Sequence, residues 1–376
     1  MAANGENQRE RMRERPRKGG KPMSKSFVNK VLLGGAVAAG AAVWAIAPRT
    51  FSDKRRNYVP AVPDVWYAHR GLHDAGSGLT AQYANESGEY VALARRMAMK
   101  AGYGSPDTPG VIAPENSLAA FAAACEAGYG IELDLQMTRD GEVVVVHDGD
   151  LMRVAGDPRR IADLTYDELT RIPLFPTDAP GACKAAPLPL ALEEPPLVTT
   201  PDNAPEGYYQ YVPLFADVLK VVAGRVPLIV EYKFDDNSKW DPHDVELMEK
   251  GDALLQAYSG KYVIESFNPA AVNWYKENRP EVCRGQLSWW PYGEDKPTDP
   301  VALGKEYAAG ALLFDWISRP DFVAYDWKGG NSPQVKLARF MGAVPVSWTV
   351  RSRDEFAQCC DQFDRHIFEA FVPDEQ

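Results

Sequence analysis

The sequence predicts an α/β protein whose parallel strands close into an eight-stranded barrel, and three observations support this prediction. The chain has 376 residues and is 45% hydrophobic, which is enough material for one large core. From about residue 64 onward, apolar segments typical of buried strands alternate with segments typical of helices, as in parallel βα units. The apolar segments number eight, and eight such units close a barrel.

Composition and charge exclude several classes of function. Residues 1–30 contain nine Lys and Arg against three Glu and carry +6, so the rest of the chain carries −17 of the total of −11. An acidic body of this kind disfavours a nucleic-acid partner. The five cysteines show neither a zinc-binding spacing nor a disulfide framework. The basic segment is predicted to be a cytoplasmic tail.

The segment that follows the basic tail predicts attachment to the cell membrane. Residues 31–47 carry no charge, and seventeen residues are at the short end of what spans a bilayer. Ala45-Ile46-Ala47 resembles a signal-peptidase site, so a cleaved signal peptide is the competing interpretation, although Pro48 should block the cut. We therefore predict a single-pass transmembrane signal anchor at 31–47, a linker at 48–63, and an extracytoplasmic catalytic domain at 64–372.

The first barrel strand is predicted at residues 65–68, which are apolar and run directly into His69-Arg70-Gly71. This places an imidazole and a guanidinium at the end of a strand, where α/β barrels hold their functional groups. Farther along, Pro114 to Ser117 is typical of a helix start, and an apolar stripe continues from there to Gly128.

The second strand carries two acidic residues on one face. Glu132 and Asp134 alternate with apolar residues, so they share a face, with their Cβ atoms about 7 Å apart. Two acids this close can hold one divalent cation between them. Asp140-Gly141 predicts a hairpin turn that brings His147 back toward the pair. Taken alone, the two acids also fit the solvated face of an ordinary strand.

The remaining elements follow from the alternation of apolar and polar segments. Further strands are predicted at Pro227–Tyr232, Tyr262–Ser266, Arg284–Ser288, Ala311–Phe314, Phe322–Tyr325 and Val344–Thr349. Further helices are predicted at 81–100, Asp244–Tyr258 and Pro269–Asn278, and from Pro300, Pro333 and Arg353.

Several motifs occur in an order that resembles the signature of the glycerophosphodiester phosphodiesterase family. They are His69-Arg70-Gly71, Pro114-Glu115-Asn116, Glu132-x-Asp134, Asp140-Gly141 and His147-Asp148, followed by Val230 to Lys233, Glu265 to Phe267 and Val346 to Val350. The resemblance covers roughly residues 64–372 and implies the TIM barrel for which that family is known. Relative to the family, segments 72–112 and 175–211 would be loop insertions beside the site.

The resemblance also implies a catalytic pair and a metal site. The two acid/base residues would be His69 and His147. The carboxylate ligands of one divalent cation, Ca²⁺ or Mg²⁺, would be Glu132, Asp134 and Glu231.

Further residues would bind the substrate or support the site. The phosphate-binding cations would be Arg70 and Lys233, which match those of the family. Trp348 would either line the rim of the pocket beside a glycerol or lipid group, or fill the barrel. Glu115 would either support the site or cap a helix. His73 lies outside the motifs but close to His69 in the sequence.

The implied activity is metal-dependent hydrolysis of a small or lipid-derived glycerophosphodiester to an alcohol and glycerol 3-phosphate. A phosphodiester is anionic, so attack on phosphorus requires its charge to be neutralised, and two histidines near neutral pH can exchange the acid and base duties. The nucleophile would be a neighbouring glycerol hydroxyl or water. Alternative functions are a lysophospholipase D-like or polyglycerol-phosphate (teichoic-acid-type) phosphodiesterase, or a catalytically silent barrel that binds an anionic polymer.

Overall fold

The computed structural model describes residues 39–52, 59–108, 110–176, 210–237, 239–291 and 297–374. Residues 31–38 of the predicted anchor and most of the predicted insertion at 175–211 lie outside these residues. Of the described part of the anchor, 39–47, residues 39–46 are helical. Across the described ranges, no helix is long and apolar enough to cross a membrane.

Eight parallel strands form a closed barrel. In chain order the strands are Trp66–His69 (β1), Gly130–Met137 (β2), Val143–Val145 (β3), Asp150–Leu151 (β4), Asp157–Arg160 (β5), Leu228–Tyr232 (β6), Tyr262–Ser266 (β7), Arg284–Ser288 (β8), Phe322–Asp326 (β9), Val344–Val350 (β10) and Arg365–Phe368 (β11). The barrel order is β1-β2-β6-β7-β8-β9-β10-β11, and β11 pairs with β1 to close the ring. Strand β3 pairs antiparallel with β2, which confirms the predicted hairpin, while β4 and β5 form a separate ribbon.

Besides the helical residues 39–46, one short helix precedes the first strand, and the other helices follow or connect the barrel strands. In chain order, these helices are Arg49–Ser52 (α1), Ala84–Lys100 (α2), Leu118–Ala127 (α3), Met152–Ala155 (α4), Tyr166–Leu169 (α5), Phe215–Val222 (α6), Pro242–Ala257 (α7), Pro269–Asn278 (α8), Pro300–Gly310 (α9), Asp315–Ser318 (α10), Pro333–Phe340 (α11) and Arg353–Cys359 (α12). Short 3-10 helices occur at Ala81–Tyr83, Ile161–Asp163 and Trp327–Gly329.

One predicted strand is wrong and another was missed. Ala311–Phe314 is a turn between α9 and α10, in which Leu312 has a φ of +58° that no extended strand adopts. The eighth barrel strand is β11, which begins with Arg365 and His366 and therefore shows no run of apolar residues. His366 is nevertheless buried, because its ring packs 5.0 Å from that of Trp66.

Apolar side chains fill the barrel interior below its functional end. The interior cluster includes Tyr67, Ile229, Val263, Leu287, Phe322, Ala324, Val346 and Ile367. Two glycines make room for its largest rings: a Cβ on Gly285 would lie 2.1 Å from the ring of Phe322, and one on Gly130 would lie 2.7 Å from that of Tyr67. Because this layer is closed, the functional groups can face only the carboxyl ends of the strands.

The segment at 72–112 is tied together by one buried ion pair. Asp74 accepts hydrogen bonds from Arg95 (2.7 Å) and from the backbone amides of Ile112 and Ala113 (both 2.9 Å). Asp74 and Arg95 are 0% and 1% exposed. The carboxylate thus joins the start of the segment, its long helix α2 and its end, which returns the chain to the barrel.

We expect Asp74→Ala to lower the free energy of unfolding by about 3–5 kcal/mol, because it leaves the buried Arg95 guanidinium without its carboxylate partner and with only the carbonyls of Gly110 and Thr108 as acceptors. Chemical denaturation followed by tryptophan fluorescence would measure the change. Asp107→Ala is the matched control, since Asp107 lies in the same segment but is exposed. A loss below about 1 kcal/mol in Asp74→Ala would show that the ion pair does not hold the segment.

Residues just before the barrel pack against its amino-terminal face. Arg49 donates its backbone amide to the Pro320 carbonyl (3.0 Å), and its guanidinium lies 3.4 Å from Asp321. Arg319 in turn donates to the carbonyl of Ala47 at 2.8 Å. Pro320 and Asp321 precede β9, so this contact lies at the end of the barrel opposite to the carboxyl ends of the strands.

Candidate active site

A cavity of about 100 Å³ opens at the carboxyl ends of the barrel strands. Seven of the predicted site residues line it: His69, Arg70, Glu132, His147, Glu231, Lys233 and Trp348. Asp134 and Glu115 lie behind this lining and contact its members. The structure therefore brings all nine predicted site residues together.

Three buried carboxylates meet beside the cavity. Asp134 lies opposite Glu231 in the register of β2 and β6, and Glu132 precedes Asp134 by two residues on the same face. One oxygen of each carboxylate lies within 4.8 Å of one oxygen of each of the others. Glu231 Oε1 is buried and accepts no hydrogen bond from the described residues. This set of oxygen donors fits Ca²⁺ or Mg²⁺.

The crowding of the three acids shifts their pKa values in different directions. Burial, reinforced by Asp134, raises the pKa of Glu132 well above its usual value. Burial also raises the pKa of Glu231 to about 7. For Asp134, burial opposes ionisation, but Lys233, 3.2 Å from its Oδ1, outweighs that effect and the pKa falls well below its usual value. A bound divalent cation would favour the ionised form of all three.

Two cations face the same acids. Lys233 Nζ lies 2.8 Å from Glu231 Oε2, and Arg70 Nε lies 3.5 Å from Asp134 Oδ2. Burial opposes the charge of Lys233, but Glu231 and Asp134 raise its pKa above its usual value, so its ammonium is charged. Fixed positive groups beside a metal site suit an anionic ligand such as a phosphodiester.

The two turns that frame this cluster have strained backbones, which hydrogen bonds to the site hold in place. Arg70 and Asn116 both have left-handed backbone conformations, with φ values of +58° and +56°. The Asn116 amide donates to the Arg70 carbonyl (2.9 Å), and the Arg70 amide donates to Glu132 Oε2 (3.0 Å). Asn116 Nδ2 donates to Asp134 Oδ2 at 2.8 Å. Non-glycine residues hold this conformation only where the surrounding contacts determine it, which is common at functional sites.

His147 is held in place by its neighbours after β3. Gln136 Nε2 donates to the His147 carbonyl at 2.9 Å, and the Val146 amide donates to the Asp134 carbonyl at 2.9 Å. The imidazole donates from Nδ1 to Asp148 Oδ1 (2.6 Å), which leaves Nε2 as the second functional nitrogen. Burial lowers the pKa of His147, so the ring is neutral near pH 7.

His69 lies at the end of β1, on the opposite side of the acids. Its Nδ1 lies 3.2 Å from Glu369 Oε2, and its Nε2 lies 3.9 Å from Glu132 Oε2. Burial, together with the nearby charge of Arg70, lowers the pKa of His69 to about 4. The imidazole is therefore neutral near pH 7 and can accept a proton.

Glu115 contacts site residues and does not cap a helix. Its carboxylate accepts hydrogen bonds from Arg70 (2.8 Å) and from both terminal nitrogens of Arg153 (2.6 and 3.0 Å). Burial opposes its charge, but Arg70 and Arg153 lower its pKa to about 2. Helix α3 is instead capped by Ser117, whose hydroxyl accepts from the Ala120 amide. The capping alternative for Glu115 is therefore wrong.

Trp348 lines the cavity and also packs against the interior cluster. Its ring lies edge-on to Phe267, with ring centroids 5.5 Å apart. Its indole Nε1 is buried and donates no hydrogen bond to the described residues. The indole thus offers a substrate an apolar ring at the cavity wall.

Comparison with known proteins identifies the family. The model of the glycerophosphoryl diester phosphodiesterase family matches residues 105–363, more than half of the chain. The chain belongs to this family. Among curated relatives, the glycerophosphodiester phosphodiesterase of Caldanaerobacter subterraneus is 43% identical over 60 residues, 16% of this chain and 25% of that protein. That of Bacillus altitudinis is 46% identical over 59 residues, 15% of this chain and 24% of that protein. The chain thus spans about a quarter of the length of these curated relatives.

Solved structures support the family's barrel fold. A structure from Silicibacter pomeroyi that carries the name glycerophosphoryl diester phosphodiesterase has a TM-score of 0.52 at 19% identity, and the match covers 83% of this chain and 92% of that one. A glycerophosphodiester phosphodiesterase structure from Galdieria sulphuraria has a TM-score of 0.50 at 17% identity, over 82% and 94% of the two chains. At these identities the likeness concerns the fold alone.

Several residues at the site of this family member were not predicted to act there. Asn116 and Asp148 belong to motifs but were given no site role. Glu369, Arg351 and Glu265 also face the site, and Arg351 and Glu265 line the cavity. Glu265 does carry a sequence signal, because it is the penultimate residue of β7 as Glu231 is of β6, and the two are register partners. Arg351 follows β10 and Glu369 follows β11, and no pattern in the neighbouring sequence marks either residue as part of a site.

Proposed function

We propose that the protein is a metal-dependent phosphodiesterase that hydrolyses glycerophosphodiesters to an alcohol and glycerol 3-phosphate. The observation that carries this proposal is the position of three buried carboxylates between two cations and two neutral histidines. Family membership supports the reaction class, while the metal dependence and the two-histidine chemistry rest on the geometry of this chain.

Some residues of the site would neutralise the charge of the phosphate, and others would transfer protons. When bound by Glu132, Asp134 and Glu231, a divalent cation supplies Lewis-acid stabilisation of charge on the phosphate oxygens. Arg70 and Lys233 hold and orient the same phosphate. Neutralising its charge in this way allows a hydroxyl or a water to approach phosphorus.

The two histidines would carry the protons. One imidazole accepts the proton of the attacking oxygen in its neutral form. The other must gain a proton when the anionic phosphodiester binds, and it then donates that proton to the leaving alcohol oxygen. If the attacking group is a neighbouring glycerol hydroxyl, a cyclic phosphate forms, and water opens it with the two roles exchanged. If water attacks directly, glycerol 3-phosphate and the alcohol form in one step.

The location of the protein is a further part of the proposal. We propose, from the uncharged run at 31–47, that the protein is anchored in the cell membrane with its catalytic domain outside the cytoplasm.

The test is release of choline by the purified full-length chain, before and after chelation, from glycerophosphocholine and from lysophosphatidylcholine as parallel substrates; the second product is glycerol 3-phosphate from the first and lysophosphatidate from the second. We expect turnover of glycerophosphocholine that stops with chelator and returns on addition of Ca²⁺ or Mg²⁺. Faster turnover of the lysophospholipid would establish the lysophospholipase D-like alternative. Absence of turnover on every diester would overturn the proposal and favour a binding barrel.

A further inference from the structure

Glu369 is a buried carboxylate that lies outside every motif used above. It follows β11 directly and is 0% exposed. Its Oε1 accepts hydrogen bonds from the Gly78 amide (2.9 Å), His73 Nε2 (3.0 Å) and Ser77 Oγ (3.3 Å). Its Oε2 accepts from Arg351 Nε (3.0 Å) and His69 Nδ1 (3.2 Å).

Five hydrogen-bond donors converge on the two oxygens of Glu369 and keep this carboxylate ionised. The Gly78 amide and the Arg351 guanidinium can only donate, one to each oxygen, so neither oxygen has reason to carry a proton. Burial opposes the charge, but His69, His73 and Arg351 together hold the pKa of Glu369 well below its usual range. Glu369 is therefore a permanent acceptor.

A permanent acceptor dictates the tautomer of the imidazole beside it. His69 can form a hydrogen bond to Glu369 only if its Nδ1 carries the hydrogen. In the neutral ring, the lone pair then lies on Nε2, which points toward Glu132 at 3.9 Å and toward the cavity. In the other tautomer, two acceptors would face each other at 3.2 Å, and a buried contact of that kind is unfavourable.

We propose that Glu369 is the positioning residue of His69: it fixes the imidazole as the Nδ1–H tautomer, so that Nε2 is the nitrogen that exchanges protons with the substrate. The inference rests on the proposed function in one respect, namely that His69 acts as an acid or base. Glu369 touches no reacting atom and acts only through His69.

His73 forms a hydrogen bond with the other oxygen of the Glu369 carboxylate. It is fully buried, and its Nδ1 has no hydrogen-bond partner among the described residues. Within the described part of the chain, the one polar contact of its ring is therefore Nε2–H to Glu369, 3.0 Å away. Two histidines four residues apart in the sequence thus bind the two oxygens of one carboxylate. This arrangement prevents Glu369 from rotating away from His69.

The first test is the tautomer of His69 in the wild-type protein. Long-range ¹H–¹⁵N NMR of the imidazole rings near pH 8 distinguishes Nδ1–H from Nε2–H, and His69→Gln assigns the resonances. We expect the Nδ1–H form for His69. Observation of the Nε2–H form would overturn the inference, whatever substrate the protein hydrolyses.

The second test is Glu369→Gln, which keeps the shape of the side chain but replaces one acceptor oxygen with a donor. We expect kcat to fall by about 10²-fold, because the favoured tautomer is lost, while KM stays within about threefold. The His69 resonances should at the same time show a population of the Nε2–H form. Glu369→Asp keeps the acceptor and should recover part of the lost kcat if the shorter chain still reaches Nδ1.

Asp315→Asn is the matched control, since Asp315 is also a buried carboxylate but lies on α10 and does not line the cavity. An equal fall in activity in this control would assign the effect to general destabilisation and overturn the inference. So would a Glu369→Gln protein that keeps kcat within threefold, or one that loses kcat with an unchanged tautomer. Inactivity of the wild type itself would refute the proposed function, while the NMR result would still decide the tautomer.

Discussion

Replacing either His69 or His147 with alanine should lower kcat/KM for glycerophosphodiester hydrolysis by at least about 10²-fold, which corresponds to about 2.7 kcal/mol of transition-state stabilisation. Each ring presents Nδ1 to a carboxylate, at 3.2 Å for His69 and 2.6 Å for His147. The two Nε2 atoms are therefore the nitrogens available for proton transfer at the cavity. Losing one of them leaves either the attacking or the leaving oxygen without a partner for its proton.

A substrate with a good leaving group separates the two roles. Its departure needs little protonation, so the variant that lacks the acid should recover much of its activity, whereas the variant that lacks the base should not. Steady-state kinetics with an alkyl and a nitrophenyl ester of glycerol phosphate would measure this difference. His243→Ala is the control, because His243 is exposed on α7 and lies outside the cavity lining. Wild-type rates in His69→Ala and His147→Ala would exclude the two-histidine mechanism.

The elements that could be predicted from the sequence are those whose signal is local. The acidic pair Glu132 and Asp134, the turn at Asp140-Gly141 and the return of His147 all lie within one hairpin, so pattern and turn chemistry suffice. The motif order then brought in Glu231 and Lys233 through the resemblance to the family. The structure places these residues around one cavity.

What could not be predicted depends on contacts between distant parts of the chain. Glu369 lies 300 residues from His69, and only closure of the barrel by β11 against β1 brings them together. The same strand was missed because Arg365 and His366 interrupt its apolar pattern, although closure buries His366. Conversely, Ala311–Phe314 is apolar enough for a strand but forms a turn, because tertiary context overrides local preference.

The second large effect is expected from a substitution in the cluster of Glu132, Asp134 and Glu231. Asp134→Asn should weaken divalent-cation binding by at least 10-fold and lower kcat by about 10³-fold. Asp134 is the member of the cluster held ionised by Lys233 and Arg70, and it also accepts a hydrogen bond from Asn116. An amide at this position keeps the shape but offers one neutral oxygen to the cation. Calorimetric titration with Ca²⁺ and Mg²⁺ measures the binding independently of turnover.

The outcome in the metal titration also bears on which cation the site takes. Ca²⁺ accepts six to eight oxygens in flexible geometry, whereas Mg²⁺ requires a nearly octahedral set and keeps several waters. Glu265 is the register partner of Glu231, and its buried Oε2 has no hydrogen-bond partner among the described residues. We expect Glu265 to add an oxygen to the set, so that Ca²⁺ binds more tightly than Mg²⁺. Asp326→Asn serves as the control, because Asp326 ends β9 outside the cavity lining. If the wild type retains full activity after exhaustive chelation, or Asp134→Asn binds Ca²⁺ as the wild type does, these carboxylates do not form a metal site and their crowding must be balanced by Arg70 and Lys233 alone.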